Sequence, residues 1–293
     1  MTFLAAAAVP ALAQDWGDTP YVQTPQNVVD TMLDIARIGP GDYVIDLGSG
    51  DGRMVITAAR KHGARGFGVD LDRNLVALAN RNAAKAGVAD RAVFYQRDLH
   101  ETDVASASVL TLYLLPEVNL MIRTRLLATL KPGTRIVSHD YGMGEWRPDY
   151  STELAAPGKT VGIGERSKIY YWVVPGRAAG RWLWRLAVDG KPVEFALALQ
   201  QNFQAIEGSL RAGEGTVRVE NARLSGESIA FSAAAGGTRY EFSGRIYNHA
   251  IEGTARIVRG AETRELPWSA ARSEIWEPRH ESLTTEQALK EIH

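Results

Sequence analysis

The stretch Asp46-Leu47-Gly48-Ser49-Gly50-Asp51-Gly52-Arg53 constrains this chain more than any other. It follows an apolar run, Tyr43 to Leu47, and opens a helical pattern from Gly52 to His62 that Gly63 closes. Glycines at 48, 50 and 52 let the backbone turn tightly and let a ligand approach closely, since no Cβ intervenes. A strand, a glycine loop and a helix in that order start a parallel α/β unit. In such sheets the ligand lies beyond the carboxyl ends of the strands. The spacing is G-x-G-x-G, unlike the G-x-G-x-x-G of dinucleotide enzymes, which disfavours a nicotinamide dehydrogenase. No Lys-Ser/Thr pair follows, so the loop is not a phosphate-cradling P-loop. Asp46 and Asp51 would repel a pyrophosphate and suit a cationic ligand.

The flanking sequence repeats the unit. Thr24-Pro25 reads as a helix start with a capping hydroxyl, followed by helical periodicity through Ala36. Strands are expected at Gly66–Leu71, Ala92–Leu99, Ser108–Leu115, Thr134–Asp140 and Ile169–Val174, and helices at Arg73–Ala86 and near Glu117–Leu130. The expectation for residues 15–175 is a Rossmann-like, doubly wound, mostly parallel sheet covered on both faces. At Gly176 the texture changes to short alternating segments between Gly-containing turns. Residues 176–272 therefore read as a smaller all-β domain, sandwich or barrel. Residues 273–293 read as a polar tail, in which Thr284 or Thr285 before Glu286 and Gln287 offers a cap for one short helix.

Two more acids extend the loop signal. Asp70 ends the second strand, 22 residues after Gly48, where an acid accepts hydrogen bonds from ribose hydroxyls. Asp98 ends the third. With the D-L-G-S-G-D-G-R loop and the upstream Tyr21-Val22-x-Thr24-Pro25, residues 21–175 resemble the class I, seven-strand S-adenosylmethionine-dependent methyltransferases. Within them the resemblance is to the lysine methyltransferases related to the ATP-synthase c-subunit enzyme and to their bacterial relatives.

That resemblance implies a cofactor, S-adenosyl-L-methionine, and roles for particular residues. Asp46, Gly48, Ser49 and Gly50 would hold its methionine part. Asp70 would bind the ribose, with Leu71 against the adenine. Asp98 would accept from the adenine amine, with Leu99 beside the ring. Tyr21 and Thr24 would close over the cofactor, and Tyr113 would face the methyl group. The sequence after the fourth strand reads L-Y-L-L-P-E, which departs from the Asn/Asp-Pro-Pro-aromatic motif of enzymes that methylate nucleic acids and glutamine. The acceptor implied is a protein lysine amine or a small molecule. A noncatalytic protein that binds S-adenosylmethionine or S-adenosylhomocysteine, with the β domain recognising a partner, is the alternative.

Ser138-His139-Asp140-Tyr141 sits at the end of the fifth strand, so His139 and Asp140 join Tyr113 as candidate acid–base or substrate-orienting groups. Glu117 and Asn119 line the neighbouring loop, and Glu117 also suits the first turn of a helix. His62 and His100 lack ligand spacing, so no metal site is expected. Cysteine is absent, which removes disulfides and thiolate chemistry. With 33 basic and 34 acidic residues there is no electrostatic footprint for nucleic acid. No apolar run reaches the roughly 18 residues of a membrane helix. Residues 1–13 end in Ala11-Leu12-Ala13, a small-x-small pattern like the end of a secretory signal, although no Lys or Arg precedes the apolar run. Export is the expected address, with the cytoplasm as the alternative. In the β domain, Trp182, Trp184, Phe195, Phe203, Phe231, Tyr240, Phe242 and Trp268 are expected in the core, or else lining a groove for a glycan, lipid or peptide.

Overall fold

A computed structural model describes residues 21–159, 161 and 164–278. The export-like segment 1–13 and the tail helix expected near Thr284 lie outside the described residues.

The first half is a seven-stranded sheet. Its strands are β1 (Tyr43–Leu47), β2 (Arg65–Asp70), β3 (Ala92–Gln96), β4 (Val109–Leu112), β5 (Arg135–His139), β6 (Tyr150–Ala155) and β7 (Arg166–Val173), in the spatial order β3-β2-β1-β4-β5-β7-β6. Strands β1 to β5 are parallel, and β7 runs antiparallel between β5 and β6. The order reverses at β1 and β4, so a crevice opens beyond their carboxyl ends. Helices α1 (Gln26–Ile35), α2 (Arg53–His62) and α3 (Arg73–Lys85) share one core with Val44, Val109 and Val137. Helix α4 (Pro116–Thr129) packs on the other face, against Ile45, Leu110 and Ile136. Adjacent strand residues thus feed opposite cores, as the period of two requires.

The chain passes from β5 to β6 without a helix. Trp146 from that connection fills the space instead, stacked on Phe203 of the second half, with centroids 5.8 Å apart and planes 9° apart. The sequence does not predict β6. It is an edge strand whose side chains are exposed or half-buried, so it carries no apolar run to read.

The second half is one antiparallel sheet of nine strands. They are β8 (Gly180–Val188), β9 (Lys191–Asn202), β10 (Ala205–Ala212), β11 (Gly215–Arg218), β12 (Glu220–Ser225), β13 (Ser228–Ala235), β14 (Thr238–Tyr247), β15 (Ala250–Arg259) and β16 (Glu262–Ile275). The order runs from β11 at one edge, through β10-β9-β8-β16-β15-β14-β13, to β12 at the other. Only Val219 separates β11 from β12 in the chain, so the two edges must meet and the sheet curls into a near-barrel. Val219 N–H donates to the Gly208 carbonyl, which carries the β10–β11 ladder one residue beyond β11. The aromatic residues expected in this core are buried, and Trp184 packs against Phe195, Phe231, Phe242 and Trp268. Phe203 is the exception in place: it is buried against Trp146, in the core beneath α4. With all of these rings packed inside, the groove reading is set aside.

Candidate functional site

The glycine loop joins β1 to α2. Gly48, Gly50 and Gly52 all have positive φ, at 79°, 53° and 83°. At Gly50 and Gly52 space is also short. A Cβ on Gly50 would stand 2.3 Å from Tyr21 Cε2, and one on Gly52 would stand 2.6 Å from Phe94 Cζ. The loop is tied to β2: Gly48 and Ser49 N–H both donate to the Val69 carbonyl, and Gly50 N–H donates to Asp70 Oδ2 at 2.9 Å. Asp70 Oδ1 accepts from Asp72 N–H. The Ser49 side chain is turned under the loop over Gly68, where its hydroxyl is buried without a hydrogen-bond partner. Its contribution to a ligand in the crevice is therefore that of its backbone.

Asp46 is buried under the loop and accepts from the Thr111 hydroxyl at 2.6 Å. Its carboxyl is pushed up to about 7, chiefly by burial; the Thr111 bond opposes this, and the Asp70 and Asp51 charges add to it. A buried acid in this state favours a cationic group placed beside it. Asp51 is held below the usual carboxylate range: burial opposes this, but Arg53 grips it through Nε and Nη2 and prevails. Arg53 Nη1 also donates to the Thr24 carbonyl, which fixes the segment carrying Tyr21 over the loop. Leu71 is 65% exposed at the rim beyond β2, an apolar side chain open to a ligand face. Asp98 lies two residues past β3 and accepts from His100 N–H, while Leu99 packs against the α4 core.

A second cluster lies at the carboxyl ends of β4 and β5. The rings of Tyr113 and His139 are 3.9 Å apart. Tyr113 donates to Asp140 Oδ2 at 3.4 Å. Asp140 has φ of 61°, a left-handed conformation that Asp tolerates better than most residues. Reciprocal bonds with Lys168 hold it there: Asp140 N–H donates to the Lys168 carbonyl, and Lys168 N–H donates to Asp140 Oδ1. Lys159 then reaches Asp140 Oδ2 at 2.6 Å. The two clusters meet at Thr24, whose hydroxyl lies 3.2 Å from His139 Nδ1. That overturns the capping role expected of Thr24: the helix cap is Pro25, and no side chain caps α1.

His139 is fully buried, with Ser167 Oγ 2.7 Å from Nε2. Burial pushes its pKa down to about 4; the Asp140 charge opposes this and the Lys159 charge assists it. A neutral imidazole offers one donor and one acceptor, so the two hydroxyls occupy both nitrogens. The acid–base role expected of His139 does not fit this setting. Tyr113 is also raised, by burial first and then by Asp140 and Tyr141, so it stays a protonated donor. Asn119 does not line the site. It is buried, and its amide clips the loop after β5 through the Tyr141 and Gly142 carbonyls. Glu117 lies in the first turn of α4. No cluster of potential metal ligands occurs among the described residues.

The first half of this chain has known relatives. The ANTKMT methyltransferase domain family model matches residues 46–150, from the glycine loop to the start of β6. A protein-lysine N-methyltransferase of Saccharolobus islandicus is 42% identical over 130 residues, covering 44% of this chain and 81% of that protein. The chain belongs to the class I S-adenosylmethionine-dependent methyltransferases. The mouse adenine nucleotide translocase lysine N-methyltransferase is 35% identical over 44% of this chain and 56% of its own length. This methyltransferase thus spans about half the length of the mouse enzyme. The crystal structure of an RNA methyltransferase from Salinibacter ruber with S-adenosyl-L-homocysteine is 49% identical, covers 52% of this chain and 94% of that one, and superposes with a TM-score of 0.48.

The cofactor of this methyltransferase is S-adenosylmethionine, and the crevice fits it on chemical grounds. Asp46 is buried with a raised pKa, the glycine backbone is unobstructed by side chains of its own, and Asp70 stands at the end of the second strand. Sequence reasoning missed Lys159 and Ser167. They come from β7 and the connection that precedes it, and nothing in their local sequence marks them. Only the antiparallel register of β7 against β5 brings them to Asp140 and His139.

Proposed function

We propose that this methyltransferase acts on protein lysine amines. The match to the archaeal protein-lysine N-methyltransferase carries this reading, because it extends over 81% of that enzyme. In this reading Asp46, Gly48, Gly50 and the Ser49 backbone hold the methionine part of the cofactor. Asp70 holds the ribose, and Leu71, Asp98 and Leu99 hold the adenine. Tyr21 covers it, while Thr24 acts through His139. When bound, the cofactor supplies a methyl carbon on a sulfonium leaving group.

The protein's task is to align the amine, keep out water and surround the positive charge with electron-rich groups. The Tyr113 and Tyr141 rings lie 6.4 Å apart and stacked, and the Asp140 carboxylate lies beside Tyr113; all of these suit a cation. A lysine amine has a reference pKa of about 10.4 and must lose a proton before it attacks. Burial beside His139 and Tyr113 favours that loss, while the Asp140 carboxylate opposes it until the proton has left to solvent.

Labelled S-adenosylmethionine incubated with the protein and a mixture of lysine-rich proteins, followed by mass spectrometry of the products, tests the reading. Methyl groups on lysine support it. Binding without transfer to any protein would favour the noncatalytic alternative. Export belongs to the same proposal, supported by the pattern at residues 1–13. Cytosolic retention of a reporter fused to residues 1–15 would count against it.

A further inference from the structure

A cavity of about 370 Å³ opens beside the carboxyl end of β5, lined by Asp140, Tyr141, Glu153, Lys159, Arg166 and Lys168 among others. Most of its charges are engaged at the rim. Arg166 is paired with Glu153, and the Lys168 ammonium sits 4.9 Å above the Tyr170 ring. Glu153 belongs to the edge strand β6, and its carboxylate is 48% exposed. Asp140 differs in place. Its carboxylate is only 13% exposed, and it touches Tyr113 and His139 on the reacting side of the site.

Lys159 reaches Asp140 with a side chain only 2% exposed. Its ammonium donates to Asp140 Oδ2 at 2.6 Å and to the Arg166 carbonyl at 2.5 Å. A buried ammonium needs such partners, and their placement shows that this corner of the cavity is built to hold one. The aliphatic stem of Lys159 comes from the β6–β7 connection, so the ammonium arrives from the protein's own chain rather than from solvent. A lysine from another protein entering beside Tyr113 would meet the same carboxylate.

We propose that the Asp140 carboxylate is the ammonium-binding subsite for the acceptor lysine, and that Lys159 is an internal ammonium that competes for it. This rests on the lysine-acceptor reading and adds the group that recognises the amine and the residue that restrains access. Lys159 is a positioning and specificity residue here, because it acts through Asp140.

Calorimetry tests it on the full chain loaded with S-adenosylhomocysteine. The probe is Nα-acetyl-lysine methylamide, and the control is its norleucine analogue, which lacks the ammonium. Lys159→Met should bind the lysine probe about tenfold more tightly than wild type, since a tethered competitor acts at millimolar effective concentration. The norleucine analogue should show no gain. Combining Asp140→Asn with Lys159→Met should abolish the gain. Should Lys159→Met fold poorly by its melting temperature, Lys159→Gln, which keeps a donor for the Arg166 carbonyl, replaces it. Equal probe affinity in wild type and a folded Lys159 variant overturns the proposal, as does a gain that survives Asp140→Asn. Failure of the lysine-acceptor reading shows separately, as labelled methyl groups on residues other than lysine.

Discussion

Thr24 Oγ1 lies 3.2 Å from His139 Nδ1, with both side chains buried, and this one contact joins the segment before α1 to the end of β5. Thr24→Val keeps the shape and removes the hydroxyl. It should cost about 1–3 kcal/mol, because a buried imidazole nitrogen loses its partner. Urea unfolding measures this, and an unchanged midpoint would mean that the contact contributes nothing.

His139 and Asp46 give opposite pH dependences. Unfolded, His139 returns to about 6.5 and Asp46 to about 3.9. With a folded value near 4, His139 stabilises the fold fully above about pH 6.5, and this is lost as pH falls toward 4. With a folded value near 7, Asp46 contributes stability that is present below its unfolded value and lost as pH rises through 7. Asp46→Asn should therefore gain stability relative to wild type as pH rises from 4 to 7, by at most about 1.4 kcal/mol per unit. Parallel pH profiles for the two proteins would exclude a raised Asp46.

Gly50 and Gly52 should respond differently to alanine. Both carry positive φ, which costs roughly 1–2 kcal/mol for an L side chain. At Gly52 the new Cβ also meets Phe94 and the Cβ of Ala79 on α3, adding about 1–3 kcal/mol of overpacking. At Gly50 it meets only the Tyr21 ring, which is partly exposed and free to yield. Gly52→Ala should lower the melting temperature more, while Gly50→Ala should mainly weaken S-adenosylhomocysteine binding by displacing Tyr21. The reverse ranking would place Tyr21 away from the cofactor.

Asp70→Ala should weaken S-adenosylhomocysteine binding by roughly 1.5–3 kcal/mol, the range for a hydrogen bond to a charged group. The loop would also lose its tie at Gly50 N–H. Unchanged affinity by calorimetry would remove Asp70 from the ribose site.

Phe203 stacks on Trp146, and the Arg123 guanidinium lies 5.4 Å from its ring centroid. Phe203→Ala should cost about 3–5 kcal/mol and loosen the second sheet from the first. Differential scanning calorimetry should show one transition in wild type and two in the variant. A single transition in both would mean that other contacts couple the halves.

The sequence alone determined the elements whose signals are local. β1 falls at Tyr43–Leu47 as expected, α2 ends at Gly63 in a left-handed cap, and α3 starts behind the Asp72 side chain, which accepts from Asn74 and Leu75 N–H. The glycine loop, Asp46 and Asp70 are legible for the same reason: turn geometry and strand ends are written in a few neighbouring residues. β6 is not legible because an exposed edge strand needs no apolar side chains. The acceptor side was decided by tertiary structure. Thr24 lies 115 residues from His139 in the chain, and Ser167 lies 28 residues beyond it, yet all three side chains meet. Lys159 meets Asp140 only through the hairpin register. Hydrogen bonds and ion pairs of that kind follow from how strands are ordered in a sheet, and strand order depends on packing that no local stretch of residues encodes.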